Sequence, residues 1–228
     1  MPTIFSKKDV AASFPVDETT PFHATKAIYI HEGTEFTLTL TMTDVTAAVA
    51  ALLSPNLTTA PLLEAAKSTN RSASTASLIT LQLTRPNRMS RTWTATKPGS
   101  GSRSSNTAVA ELSNPLWSLG KWTIKFPVGS PHSGHDIQLR PAGVATRADE
   151  FVKDSVPYFW DVVDGRRLCK LYRAMDGKKV EIARFVGDGA RARDGVLVVA
   201  GQGEEGVDEI VVMLTLVGVL NRSESFRA

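Results

Sequence analysis

Two imidazoles and a carboxylate fall within five residues at His132-Ser133-Gly134-His135-Asp136. These are donor types that bind zinc, but a metal centre also needs a rigid element and a further ligand from elsewhere. This run sits in a turn-forming stretch, 127–134, and the other histidines are His23 and His31. A surface turn is the plainer reading, and no metal site is assigned. Nucleophiles fare no better. The chain is rich in serine but has no Gly-x-Ser-x-Gly elbow. Cys169, the single cysteine, lies inside an apolar alternation and reads as core packing. Gly187-Asp188-Gly189 and Gly201-Gln202-Gly203 read as turns that match no nucleotide fingerprint. Trp93, Trp117, Trp122 and Trp160 read as sheet or core packing. No catalytic residue and no cofactor is expected.

Charge is the stronger signal. No acidic residue occurs between Glu64 and Glu111, a stretch that carries Arg85, Arg88, Arg91, Lys97 and Arg103. Guanidinium and ammonium groups gathered on one face would suit phosphate, arginine by its two-pronged fork. Such a face, with Trp93 at its edge, is the candidate headgroup-binding site; solvated strand ends and loops are the plainer alternative. A second basic set, Arg166, Arg167, Lys170 and Arg173, alternates with Leu168 and Leu171 and reads as an outward strand face.

The elements that would position these residues are mostly short strands. Residues 1–25 are rich in Pro, Thr and charge and read as an irregular lead-in. Ala27-Ile28-Tyr29-Ile30-His31 and the run 34–41 read as a hairpin turning at Glu32-Gly33, with Phe36, Leu38 and Leu40 alternating against threonines. Asp44 can cap a short helix over 47–53, and another helical turn fits 61–67. Residues 68–77 read as a Ser/Thr-rich connector. Alternation returns over 78–84, 92–96, 108–112, 122–126 and 136–140, interrupted by a flexible loop over 98–105. The stretch 143–149 reads as polar and strand-poor. About ten short strands spaced by Gly, Pro and Asn point to a sandwich or barrel. One closed sheet over 26–228, drawing on both halves, is favoured over two domains.

Bulk properties bound the class. The 228 residues suffice for a self-sufficient core; 42% are hydrophobic and 21% charged, as in ordinary globular proteins. A net charge of +3 and a pI near 9.1 suit anionic partners only mildly. A single cysteine leans toward a reducing compartment, and the N-terminus reads without a signal peptide, so a cytoplasmic location is expected.

The last third carries the clearest pattern: Pro157-Tyr158-Phe159-Trp160-Asp161, then Leu168-Cys169-Lys170-Leu171-Tyr172, then Val180-Glu181-Ile182-Ala183-Arg184-Phe185, then Val196-Leu197-Val198-Val199. These lead into a run over 209–220 that is apolar on every side and about half the roughly 20 residues a membrane-spanning helix needs. Its Val and Ile content favours strand. Its flanks, Asp208-Glu209 before and Arg222 after, favour helix. From the residues alone both stay open.

This rhythm resembles the tubby C-terminal-like superfamily, which includes LURP-one-related proteins and phospholipid scramblases and has many fungal members. It covers roughly the last 75 residues. The resemblance implies a mainly β fold: a closed antiparallel barrel of about 12 strands around a hydrophobic C-terminal helix, with one or two short helices besides. It implies a non-enzymatic binding or scaffold module that meets anionic phospholipid headgroups, phosphoinositides among them, as a peripheral membrane protein. A scramblase role is disfavoured, because the chain has one cysteine and a charged tail. The alternatives are a metal-dependent enzyme using His132, His135 and Asp136 at a barrel mouth, and a protein-partner adaptor. No nucleic-acid partner is expected.

Overall fold

The structure, a computed structural model, describes residues 14–32, 38–53, 58–72, 79–87, 89–98, 106–115, 118, 120–143, 148–164, 167–189, 194–201 and 208–225. Twelve strands make one closed antiparallel barrel: β1 (Ala24–Glu32), β2 (Thr39–Asp44), β3 (Ile79–Thr84), β4 (Thr92–Lys97), β5 (Thr107–Ser113), β6 (Trp122–Lys125), β7 (Ile137–Pro141), β8 (Ala148–Lys153), β9 (Val156–Asp164), β10 (Leu168–Met175), β11 (Lys178–Gly187) and β12 (Gly195–Ala200). Each pairs with its sequence neighbour, and β1 closes the wall on β12 from Ala24↔Ala200 to Ile30↔Gly195. Among the described residues there are also three α-helices: α1 (Thr46–Val49), which runs on into a single 3-10 turn, α2 (Thr59–Ser72) and α3 (Glu209–Ser225).

The barrel is plugged by α3. Every residue from Val211 to Leu220 is buried, packed against inward side chains that include Ile28, Leu83, Trp93, Trp122, Trp160 and Phe185. Enclosure decides helix over strand here. A segment inside a closed wall finds no free sheet edge, so its backbone groups must bond to one another. Val and Ile lose that contest despite their preference for extended chain. Each fully buried aliphatic side chain contributes about 1.5–3 kcal/mol before ordering entropy is subtracted. Gly218 lets the helix approach β7 closely, since a β-carbon there would lie 2.6 Å from Leu139 Cδ2.

Polar contacts fix the plug. Thr215 Oγ1 accepts from the buried Trp160 Nε1 at 3.0 Å and donates back to the Val211 carbonyl at 2.8 Å. At the start of α3, Asp208 Oδ1 accepts the Ile210 amide at 2.7 Å, and Glu209 pairs with Lys26 of β1. Burial pulls the Lys26 ammonium down, but Glu209 and Asp44 outweigh it and hold it above the usual lysine value. At the far end Arg222 Nη2 lies 3.0 Å from Oδ2 of Asp149, a carboxylate only 1% exposed. Burial pushes that carboxyl up to about 6, against the pull of Arg222.

Strand connections alternate between two ends. The β1–β2, β3–β4 and β11–β12 connections and the C-terminus of α3 lie at one, here called the upper end. The N-terminus of α3 and the hairpin turns Asp154-Ser155 and Asp176-Gly177 lie at the lower end. Both turns have two successive positive φ angles, the twist-matched hairpin form.

Two expectations change. The connector expected over 68–77 begins as helix, because α2 runs to Ser72 with Leu62 and Ala66 buried against the outer wall and Thr69 bonded to the Ala65 carbonyl. The strand-poor stretch expected to run to Asp149 ends in strand, since β8 starts at Ala148. The second hairpin strand is described from Thr39 to Asp44; residues 33–37, Phe36 among them, lie outside the described residues. Trp93, Trp122, Trp160 and Cys169 are core residues, as expected, while Trp117 lies outside the described residues.

Candidate functional site

A concave site on the described surface is a cleft of about 290 Å³ at the upper end, between α2 and the outer wall. Strand alternation on β1 sends Ile28 and Ile30 into the barrel and Ala27 and Tyr29 outward under α1 and α2. His31 continues that outward row, its ring stacked 6.1 Å from Tyr29. Helical spacing brings Lys67, Asn70 and Arg71 onto the side of α2 that faces the row. The β11–β12 connection supplies Asp188 and Asp194, held together by a 3.0 Å bond from the Asp188 amide to the Asp194 carbonyl.

Asp188 and Asp194 form the floor, and Lys67, Arg71 and His31 stand nearer the rim. Asp194 accepts the Glu32 amide at 2.8 Å through Oδ1 and meets His31 Nδ1 at 3.1 Å through Oδ2. Lys67 Nζ stands 3.5 Å from Asp188 Oδ2 and 3.5 Å from Glu64 Oε1. The Asp188 and Asp194 side chains are 7% and 6% exposed, against 24% for Lys67 and 36% for His31, and Arg71 is exposed. Solvent therefore meets Lys67 and Arg71 at the rim, where the exposed Glu64 also lies, while the Asp188 and Asp194 carboxylates sit below. Lys67 and Arg71 at this rim are side chains able to contact an anion.

The candidate basic face divides. Arg85, at the end of β3, and Arg91, before β4, lie at the upper end with the cleft. Lys97 closes β4 at the lower end, six strand residues away. Arg88 and Arg103 lie outside the described residues. Trp93 is not a surface edge: it is 2% exposed inside the barrel, and the Arg85 guanidinium sits 4.8 Å above its ring. In the second basic set, Lys170 faces outward and pairs with Glu181 at 3.2 Å, Arg166 lies outside the described residues, and a bulge after Leu171 changes the alternation. Tyr172 thereby joins Phe159 outside, and Arg173 acts on inward-facing Tyr158.

The histidine run also separates. His132 lies against Phe126, rings 5.0 Å apart, and its Nε2 is 3.3 Å from Asp208 Oδ2 at the start of α3. His135 and Asp136 are exposed. Among the described residues no three of His, Cys, Asp and Glu converge as metal ligands would. Burial pushes the Cys169 thiol up to about 12, with Asp149 adding to it, so it is not a ready nucleophile.

Sequence reasoning missed the cleft. Its seven lining residues come from three segments up to 165 positions apart, and His31, Lys67 and Asp194 belong to no local motif.

No family model matches the chain, and no curated protein does. Among solved structures, the X-ray structure of an Arabidopsis thaliana protein is similar at a TM-score of 0.48 and 12% identity, over 93% of this chain and 99% of that one. A likeness that loose assigns neither family nor function.

Proposed function

We propose that this protein is a non-enzymatic binding or scaffold module of the tubby-like kind, taking an anionic phospholipid headgroup at the upper end of its barrel. The observation that carries the reading is the cleft's layering, with cations outside and carboxylates beneath. Two others support it. The bore is filled by α3, so recognition falls to the outer surface. Arg85 and Arg91 share the cleft's end of the barrel, where they can add attraction for an anionic membrane. No helix among the described residues is long and apolar enough to cross a membrane, so the proposed association is peripheral.

Flotation with phosphatidylcholine vesicles, with and without a phosphoinositide, tests this. The expected result is binding only to the phosphoinositide vesicles, lost in Lys67→Ala/Arg71→Ala and weakened in Arg85→Ala/Arg91→Ala. Absence of binding to any anionic vesicle would end the lipid reading. Unchanged binding in the Lys67/Arg71 variant would remove the cleft from it.

A further inference from the structure

A second surface, on the outer wall below and away from the cleft, already holds a segment of this chain. Strand β12 pairs with β11 only from Ala183 to Gly187. Among the described residues, the start of β11 has no β12 partner. The segment before β1 fills that edge: Val16 bridges Lys179 in parallel, the Asp17 amide donates to the Lys179 carbonyl at 2.8 Å, and the Lys179 amide donates to the Pro15 carbonyl at 2.8 Å. Both hydrogen-bonding groups of Lys179 point at the segment, as in strand addition to an open sheet edge.

Side chains give the contact selectivity. Phe14 packs on Phe159 at 5.8 Å between ring centroids, in a patch made with Tyr172, Ala142 and Ala174. Phe159 is fully buried, and Lys179 Nζ covers its ring at 5.0 Å. Val16 turns outward at 47% exposure, while Asp17 Oδ1 reaches Lys178 Nζ at 3.7 Å. Asp17 also accepts from the Thr19 amide at 3.0 Å and the Thr20 hydroxyl at 2.8 Å, which ends the extended segment in a turn. An aromatic anchor, a backbone pair and a terminal carboxylate define a short linear pattern: aromatic, proline, aliphatic, aspartate.

We infer that the β11 edge and the Phe159–Tyr172 patch form a docking site for an extended peptide of a partner protein bearing this pattern, with Phe14–Asp17 as its built-in competitor. The inference is independent of the lipid reading. One backbone bridge and one aromatic anchor are a small contact, so the competitor holds its place largely because it is tethered, at a local concentration of millimolar order. Weakening the tethered copy must then open the site.

The test uses the full-length chain and a fluorescent synthetic peptide with the sequence of residues 11–20, read by fluorescence polarisation. Phe14→Ala is expected to bind it at least about tenfold more tightly than the unaltered protein, because the cis anchor is gone. Adding Lys179→Pro removes the amide that meets Pro15 and is expected to abolish that gain. An unchanged circular dichroism spectrum and melting curve for both variants shows that the barrel is intact. Equal peptide affinity with and without Phe14→Ala overturns the inference, and so does binding that survives Lys179→Pro. Concentration-dependent dimerisation of the unaltered chain that disappears in Phe14→Ala also overturns it, because the occupant is then a second copy of this chain.

Discussion

Two helices lie on opposite faces of one wall, and they differ in almost every physical respect. Helix α3, inside, is apolar from Val211 to Leu220 except for Thr215, which bonds Trp160 of the wall and the helix's own backbone. Helix α2, outside, buries Leu62 and Ala66 and gives Lys67, Asn70 and Arg71 to a charged cleft. The inner helix is a stability element, and the outer one serves recognition in the function proposed above. Substitution should separate them sharply.

The largest effect is expected for a charge placed in the plug. Leu216→Asp puts a carboxylate among fully buried side chains and should cost more than about 4 kcal/mol, enough to prevent folding. Ala60→Asp, on an exposed position of α2, should stay within about 0.5 kcal/mol. Urea unfolding followed by circular dichroism measures both, and near-equal midpoints would erase the contrast.

Next comes the pH response of the plug's upper anchor. The Asp149 carboxyl is raised in the fold from 3.8 to about 6, so over that window the folded state holds the proton more firmly than the unfolded chain. Its contribution to stability is therefore present below pH 3.8 and lost as pH rises through 6. The difference in unfolding free energy between the unaltered protein and Asp149→Asn should fall by about 3 kcal/mol across the window. A difference that is flat with pH, or that grows, contradicts the assignment.

Thr215→Val should cost about 1–3 kcal/mol by leaving the buried Trp160 indole N–H without its acceptor, with a change in tryptophan emission. A neutral result would mean that the tie between Thr215 and Trp160 is dispensable. Smallest in stability is Arg71→Ala on α2, within about 0.5 kcal/mol, yet it should weaken binding to phosphoinositide vesicles. Loss of stability without loss of binding there would reverse the roles given to the two helices.

The strands most easily read were those whose inward residues are all apolar. On β9 and β12 the pattern of large side chains shows through at once. On β8 the inward row is Asp149, Phe151 and Lys153, so a core-facing strand looks polar. Its hairpin turn is equally disguised, because Asp154 and Ser155 take positive φ without a glycine, whereas Asp176-Gly177 announces the β10–β11 turn. The candidate basic residues were legible as a run in sequence, but antiparallel geometry sent Lys97 to the opposite end from Arg85 and Arg91.

The residues alone supply the material: many short alternating strands, and one closing segment too apolar to face water. That follows from local periodicity, which a chain carries in any fold. Three things were settled only by tertiary structure. Closure of β1 on β12 made the apolar segment a helix, because it left no edge for its backbone. Packing of α2 against the outer wall brought His31, Lys67, Arg71, Asp188 and Asp194 into one cleft. The early end of the β12 pairing left an edge on β11 that Phe14–Asp17 occupies. Each depends on contacts between distant residues, which no local pattern encodes.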